Sequence, residues 1–342
     1  MRNIFLVSFS YAAALVGAGF ASGQEIISFF VRYGRMSFIG VALAALLFGV
    51  FAAVVLCGCI ENSVICYSEY LEGIMPKPVR RITEALTLVF GLSVFCVMAS
   101  CCGEMGYALF GIDTKWGVIA MCTVCALIFI LGTDGAMNLN AALGFVIVIG
   151  IIACCFYILT YREHQTFSNN TKMTASSLSY AGYNLLTAGC VLAPLSRRLK
   201  SKSDACLAGF ISSCAMFAMM ILMWWILSIY HGKINLGELP MLTMAMRQNE
   251  TLTAIYSMLL FAAVLSTAVS NGISSVNILC GKTGRAAAGA IVVACGLCFG
   301  GAGFSNLINT AYRICGYAGI FVVIYILIIS VKKMKNKEKI SK

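Results

Sequence analysis

Charged residues are scarce in this sequence, and histidine is almost missing. Asp, Glu, Lys and Arg together make up 11% of the 342 residues, and there are 2 histidines. A soluble domain of this length carries roughly a quarter charged residues, so the composition excludes an ordinary water-soluble fold. Both histidines fall between apolar stretches, and no cluster of histidine and acidic residues suggests a metal or catalytic site. The ATP-binding pattern G-x-x-x-x-G-K-[ST] is missing too, so ATP-driven transport would require a separate subunit.

Cysteine is abundant, but the sequence offers no disulfide framework. The 17 cysteines are odd in number and lie almost entirely within apolar stretches. Cys122-x-x-Cys125 and Cys295-x-x-Cys298 have the spacing of metal or redox pairs, yet neither has the further ligands that a structural zinc site needs. We therefore interpret these cysteines as small apolar packing residues.

Long apolar runs dominate the chain. Hydrophobic residues account for 61% of the sequence, and a transmembrane helix needs about 20 mostly apolar residues. The runs predict an all-α polytopic membrane protein of about ten helices, forming a single transmembrane domain over 1–342. The predicted spans are 4–31, 38–60, 84–110, 116–133, 137–160, 174–196, 204–230, 251–279, 286–302 and 306–331.

The net charge of +11 is distributed as an orientation signal, with no nucleic-acid partner predicted. With ten spans and the N-terminus inside, the positive-inside rule places both termini in the cytoplasm and makes the lipid bilayer the partner of the basic tail 332–342. Seven Lys and Arg fall in outer loops, and Arg313 falls within a span. The other sixteen fall in inner loops and tails: Arg2, Lys77, Arg80, Arg81, Arg197, Arg198, Lys200, Lys202, Lys282, Arg285, Lys332, Lys333, Lys335, Lys337, Lys339 and Lys342.

The most informative stretch is Val16–Glu25, with the sequence VGAGFASGQE, in the middle of the first span. A glycine in a helix costs about 1 kcal/mol relative to alanine, and an ionisable group at membrane depth costs roughly 2.5–3.5 kcal/mol. Small residues can also form a packing face, but these do not keep to one side of a helix. Non-helical backbone is tolerated at depth only where it is buried in protein or lines a cavity. We therefore predict two half-helices, 4–15 and 25–33, with an unwound joint near Gly17–Gly23.

A second cluster of small and polar residues lies in the sixth span, where it predicts a break near Asn184–Gly189. This span opens the second half of the chain if ten helices divide into repeats of about 4–160 and 174–331. Because five is an odd number, the second repeat must have inverted topology. Interrupted segments at matching positions of two halves indicate the binding site of a transporter.

This organisation resembles the amino acid–polyamine–organocation superfamily and its sodium-symporter relatives, and the stretch 16–26 is most similar to bacterial YkvI-type predicted amino acid permeases. The resemblance covers essentially the whole chain, although its only sharp motif is in helix 1. It implies a location in the cytoplasmic membrane of a bacterium and a substrate held by exposed backbone groups of helices 1 and 6. The predicted substrate-binding residues are Val16, Gly17, Ala18, Gly19, Phe20, Ser22, Gly23, Tyr183, Asn184, Thr187, Ala188 and Gly189.

The resemblance also implies a coupling ion, Na⁺ or H⁺, and no cofactor. In sodium-coupled relatives, two adjacent hydroxyl residues of helix 8 join carbonyls of the helix 1 break. Ser266 and Thr267 match that pattern, although Leu265 could occupy the first hydroxyl position, and hydroxyls also bond carbonyls of their own helix. The predicted sodium ligands are Ala13, Val16, Ala262, Ser266 and Thr267. Span 137–160 lacks the lysine that some proton-coupled relatives use.

Three charges lie in the interior of spans, away from their first residues: Glu25, Glu104 and Arg313. A buried charge is expected to have a partner. In symporter relatives an Arg of helix 1 faces an Asp of helix 10 and closes the outer vestibule. The resemblance implies the same gate with exchanged signs, Glu25 facing Arg313, with Glu104 as a competitor for the arginine. The alternatives are a static ion pair, snorkelling to the interface, or Glu25 as a proton carrier.

The expected function is secondary transport of a small zwitterion, an amino acid by resemblance, through alternating access. A membrane-embedded amino acid sensor on the same fold is the alternative. An intramembrane enzyme is disfavoured because Glu25 and Glu104 are the only acids in the interior of spans and no span contains histidine. The connector 231–250 is expected to hold a short helix that caps the outer vestibule.

Overall fold

The computed structural model describes the backbone of residues 1–159 and 173–340, and the side chains of all of these except 131–142, 144, 173–174, 281–283 and 334–340. Every regular element in these ranges is a helix. The α-helices are α1 (Arg2–Leu15), α2 (Ala18–Ala21), α3 (Gln24–Phe29), α4 (Ser37–Asn62), α5 (Tyr67–Ile74), α6 (Lys77–Phe110), α7 (Thr114–Leu159), α8 (Met173–Leu195), α9 (Lys202–Tyr230), α10 (Pro240–Gln248), α11 (Glu250–Thr283), α12 (Arg285–Phe299), α13 (Phe304–Leu307) and α14 (Arg313–Ile340).

The lengths and composition of these helices are those of a membrane protein. Large apolar side chains such as Phe110, Ile130 and Phe321 face outwards, where lipid is their natural solvent. The all-α polytopic membrane fold predicted from the sequence is confirmed. Among the described residues, five helical segments are long and apolar enough to cross a bilayer: Ser37–Asn62, Lys77–Phe110, Lys202–Tyr230, Glu250–Cys280 and Phe304–Lys333.

The first span is divided into three short pieces. After α1 ends at Leu15, the Gly17 N–H turns to the carbonyl of Leu15, and a single turn, α2, follows. Gly23 then adopts φ +86°, a left-handed conformation that costs glycine little and other residues much. The piece after the interruption, α3, ends at Phe29 and gives way to a 3₁₀ turn, so it is shorter than the predicted 25–33 half-helix.

The predicted break in the sixth span is wrong, because α8 is helical without interruption from Met173 to Leu195. Its glycines allow close packing instead. A β-carbon on Gly182 would lie 2.2 Å from the carbonyl oxygen of Gly316 in α14, and one on Gly189 would lie 2.1 Å from the ring of Tyr67 in α5. Small residues in a membrane helix allow neighbouring helices to pack closely, and they also allow a helix to unwind. In α8 they allow close packing.

The predicted spans 116–133 and 137–160 both lie in one run of helical backbone, α7. A straight helix of 46 residues would be about 69 Å long, more than twice the thickness of a hydrocarbon core.

Contacts at the two ends of α7 show that its halves run in opposite directions. In the first half, Gly117 lies against Gly103 and Phe129 against Phe95, so this half is antiparallel to α6. Gly91 of α6 lies against Ser275 of α11, and Met98 of α6 and Thr267 of α11 lie on either side of Gly17 in helix 1. Residue numbers therefore rise along α6 in the direction in which they fall along α11, so these two helices are antiparallel.

The second half of α7 is antiparallel to α11. Gly150 lies against Leu259, and the Asn249 amide donates to the Tyr157 hydroxyl at 2.9 Å. The direction of the helical backbone therefore reverses between Phe129 and Gly150, which gives α7 the course of two membrane crossings.

Asn3, in the first turn of α1, and Lys333, in the second half of α14, lie at one end of the bundle, called the terminal end below. There the Asn3 amide donates to the carbonyl of Arg198 at 3.0 Å, and Lys333 contacts the carbonyl of Gly73 near the end of α5. The opposite, or distal, end carries the connector between α9 and α11. That connector contains α10, so the short helix expected within 231–250 is present.

Candidate functional site at the interrupted first helix

The interruption of helix 1 presents backbone groups to the interior of the bundle. The hydroxyl of Thr267 in α11 donates to the carbonyl of Val16 at 3.1 Å. Since the Gly17 N–H has turned to Leu15, the carbonyl of Ala13 lacks the donor that a continuous helix would supply. The Ala18 N–H points at the Met98 sulfur, 3.3 Å away. The site therefore contains carbonyl oxygens without helical partners and a side-chain hydroxyl beside them.

Two of the predicted sodium ligands, Val16 and Thr267, are in direct contact, and both are buried. Ser266 is fully buried and precedes Thr267 on α11, while Ala262 is half-buried one turn earlier. Carbonyl and hydroxyl oxygens are the ligands that hard cations prefer.

The Glu25 carboxyl lies next to the interruption. Its side chain folds back over α2, so that a β-carbon on Gly19 would lie 2.3 Å from Glu25 Oε1. The hydroxyl of Tyr183, from α8, is beside the same carboxyl. However, neither Glu25 Oε2 nor the Tyr183 hydroxyl has a partner with hydrogen-bond geometry, and the buried hydroxyl of Tyr180 has none either.

Aromatic rings enclose this group. Tyr183 is at the centre of the cluster, with ring centroids of Phe29, Phe90, Tyr180 and Tyr312 at 5.5, 5.4, 5.5 and 4.7 Å respectively. Tyr312 comes from the five-residue π-helical turn Ile308–Tyr312 that joins α13 to α14. Such turns occur frequently at functional sites.

The structure contradicts the predicted gate between Glu25 and Arg313. The guanidinium of Arg313 donates to the carbonyl of Ser28 at 3.2 Å and lies over the ring of Phe29, 5.8 Å from its centroid. No ion pair among the described side chains joins Arg313 to Glu25 or to Glu104. The backbone carbonyl and the aromatic face stabilise the guanidinium in place of a carboxylate.

The distal end is closed by a polar network. The Gln24 amide donates to the Ser305 hydroxyl at 2.8 Å, and Ser305 donates from its hydroxyl and its N–H to one carboxylate oxygen of Glu238, at 2.5 and 2.8 Å. Glu104 lies within electrostatic reach of Glu238. Sequence reasoning missed Gln24, Ser305 and Glu238 because these contacts join segments far apart in the chain.

Two further bonds hold the interrupted helix at this end. The N–H of Met241 in α10 donates to the Ser22 carbonyl at 2.7 Å, and the Tyr256 hydroxyl of α11 donates to the Ala21 carbonyl at 2.6 Å. Carbonyls that α2 leaves without donors are thereby satisfied from outside the segment.

The other predicted substrate residues divide into two groups. Near the interruption, Phe20 is fully buried and the Ser22 hydroxyl donates to the Gly19 carbonyl at 3.1 Å. On α8, Asn184 donates to the carbonyl of Tyr180 at 3.1 Å. Thr187 likewise bonds within α8, Ala188 is buried, and Gly189 packs against Tyr67 away from the interruption.

Sequence comparison identifies distant relatives. No protein-family model matches the chain. It is 23% identical over 280 residues to the uncharacterized membrane protein YkvI of Bacillus subtilis (strain 168), an alignment that covers 78% of each chain. It is 22% identical over 322 residues to the uncharacterized protein YyaD of the same organism, covering 92% of this chain and 93% of YyaD.

Three solved structures share the fold. A variant of the manganese transporter of Eremococcus coleocola superimposes with a TM-score of 0.61 at 15% identity, covering 94% of this chain and 78% of that one. Inward-facing Mhp1 gives 0.59 at 14% identity, covering 95% and 75%. A substrate-bound, outward-open Na⁺-coupled sialic acid symporter gives 0.55 at 14% identity, covering 92% and 83%.

Proposed function

We propose that this protein is a secondary transporter that moves a small zwitterionic solute of the amino acid type by alternating access, coupled to Na⁺ or H⁺. The observation that carries the proposal is the interruption of helix 1 at Val16–Gly17, buried beside Thr267. Unsatisfied backbone at membrane depth is costly, so it is retained where it holds a ligand. The shared fold with a manganese transporter, Mhp1 and a sialic acid symporter supports a transporter.

The backbone groups that lack helical partners at the interruption suit both charged groups of a zwitterion and a coupling cation. The carbonyls of Ala13 and Val16, with the hydroxyl of Thr267, would accept Na⁺ or an ammonium group. Because the Ala18 N–H points at the Met98 sulfur, the N–H groups of Gly19 and Phe20 would be the donors to a carboxylate. We assign Ser266 as the second hydroxyl ligand for Na⁺.

The closed distal end supports alternating access. The bonds among Gln24, Ser305 and Glu238 join α3, α13 and the connector before α10 at that end. A transporter must release one such closure before it forms the other. In this proposal the terminal end faces the cytoplasm, as the distribution of the basic residues predicts.

The test begins with binding and proceeds to transport. Purified protein is screened by thermal shift against the proteinogenic amino acids in NaCl and in choline chloride, because a ligand that binds only the folded state raises its apparent stability. The amino acid that binds is then offered to proteoliposomes under an imposed Na⁺ or H⁺ gradient. Uptake above that of empty liposomes supports the proposal, binding without uptake assigns a sensor, and no binding refutes both.

A matched pair of variants tests the ion site. Ser266→Ala combined with Thr267→Ala should abolish any Na⁺-dependence of binding. Thr253→Ala, on the same helix but bonded to the carbonyl of Asn249 in its own first turn, should retain it. Binding that stays equally Na⁺-dependent in the double variant would show that sodium binds elsewhere.

A further inference from the structure

The Glu25 carboxyl is buried, with 3% of the residue exposed, and no described side chain is its counterion. One oxygen lies against Gly19, and the other has no hydrogen-bond partner. Two carboxylates near the ends of the bundle have partners by comparison. Glu61 forms an ion pair with Lys202, and Glu238 accepts two bonds from Ser305.

The groups that face Glu25 from the neighbouring elements are neutral. They are the phenols of Tyr180 and Tyr183 on α8 and of Tyr312 on the π-helical turn. On its own segment the contact is the backbone of Gly19. The described chain places no Lys, Arg or His within ion-pair distance of this carboxyl. Arg313 is bonded to the carbonyl of Ser28 and to the Phe29 ring.

An ionised carboxylate in these surroundings would be a desolvated charge without a partner, which is among the most costly arrangements inside a membrane. A protonated carboxyl avoids that cost and gains an O–H donor. Two acceptors are at hand, since the hydroxyls of Tyr180 and Tyr183 are both buried without partners. A proton also adds almost no volume, so it can bind to a carboxyl that is packed against Gly19 and aromatic rings.

We propose that Glu25 is the proton-binding site that couples solute movement to a proton gradient, an inference that rests on the proposed transport function. The carboxyl keeps its proton while the distal end is closed. When α3 moves and water reaches the carboxyl, the O–H bond breaks and the proton passes to that water. The carboxylate takes up a proton again before the aromatic cluster closes around it.

Infrared difference spectroscopy of the purified protein in lipid vesicles tests the proton without any solute. The carbonyl stretch of a protonated carboxylic acid should persist at neutral pH in the wild type and vanish in Glu25→Gln. Glu104→Gln examines the other acid within a span. If the band vanishes in Glu104→Gln and remains in Glu25→Gln, the proton belongs to Glu104 and the proposal is wrong. A wild type without the band at neutral pH also overturns it.

A second variant guards against misfolding of Glu25→Gln. Gly19→Ala introduces a methyl group 2.3 Å from Oε1, so the carboxyl must move and its band should shift. Gly17→Ala is the matched control, because the nearest side-chain atom to an added methyl is 3.4 Å away. A band at the same position in Gly19→Ala as in Gly17→Ala would refute the assignment to Glu25.

A transport assay distinguishes a failure of this inference from a failure of the proposed function. With the amino acid identified by thermal shift, Glu25→Gln should still bind and exchange solute but lose accumulation driven by a pH gradient, because glutamine mimics the protonated carboxyl and cannot release a proton. Loss of binding in Glu25→Gln would instead make the carboxylate a ligand for a cationic group and overturn the proton site. Failure of the wild type to transport any solute, with the infrared band present, would refute the transport function and the coupling role but not the proton on Glu25.

Discussion

The hydrogen bond from Thr267 to Val16 gives the sharpest prediction about stability. Thr267→Val keeps the shape of the side chain and removes the donor of a buried bond 3.1 Å long. The described backbone supplies no second donor to the Val16 carbonyl, since the next N–H groups turn elsewhere. The substitution therefore leaves a buried carbonyl oxygen unsatisfied.

The cost follows from these two effects. A neutral hydrogen bond contributes about 0.5–1.5 kcal/mol net, and a buried polar atom left without a partner costs about 1–3 kcal/mol. We expect Thr267→Val to lower the free energy of unfolding by about 1–3 kcal/mol in sodium-free buffer. If Na⁺ binds the same carbonyl, a Na⁺ concentration of about a hundred times the dissociation constant should stabilise the wild type by about 2.7 kcal/mol. The variant should not show this stabilisation.

The assay is unfolding in detergent micelles, in choline chloride and in NaCl. Thr253→Val is the control, because its hydroxyl donates to the carbonyl of Asn249, which also accepts the Thr253 N–H at 3.1 Å and is not orphaned. Equal stability of Thr267→Val and Thr253→Val in choline would refute the reasoning about the Val16 carbonyl. Equal stabilisation of both variants by NaCl would refute the sodium site alone.

Two more predictions concern packing and the distal closure. Gly189→Ala places a methyl group 2.1 Å from the ring of Tyr67 and should destabilise the protein by about 1–3 kcal/mol in the same unfolding assay. Gly301→Ala, which meets nothing within 4 Å, should be neutral, and equal effects would contradict the packing role. Ser305→Ala removes the hydroxyl bond to Glu238, worth about 1.5–3 kcal/mol because the acceptor is charged, and the acceptor of the Gln24 amide, while the backbone N–H bond to Glu238 remains. Amide hydrogen exchange at the distal end should then be faster, and unchanged exchange would show that this network does not hold the closure.

The sequence by itself determined the class of protein and the place where its first helix is interrupted. The class of protein depends on the summed hydrophobicity of each run, and the interruption depends on the local conformational freedom of glycine. The apolar runs are long enough to span a bilayer whatever their neighbours are, and glycine is the residue that adopts the φ of +86° found at Gly23 at little cost. The resemblance also directed attention to Thr267, whose hydroxyl meets the carbonyl of Val16.

Only the tertiary structure decided what the ambiguous residues do. Gly182 and Gly189 could have unwound α8, but close contacts with Gly316 and Tyr67 keep it helical. A glycine permits both an unwound helix and close packing, so the outcome depends on which residues of the neighbouring helices lie opposite it.

The partners of the buried charges were likewise beyond the sequence. Opposite charge at similar depth suggested that Glu25 and Arg313 would meet, yet Arg313 binds the carbonyl of Ser28 and Glu25 lies among tyrosines. Side-chain direction on a short turn such as α3 decides which group a charge reaches. That direction is set by how the chain folds around the interruption, where Gly19 leaves room for the carboxyl that an added methyl group would displace.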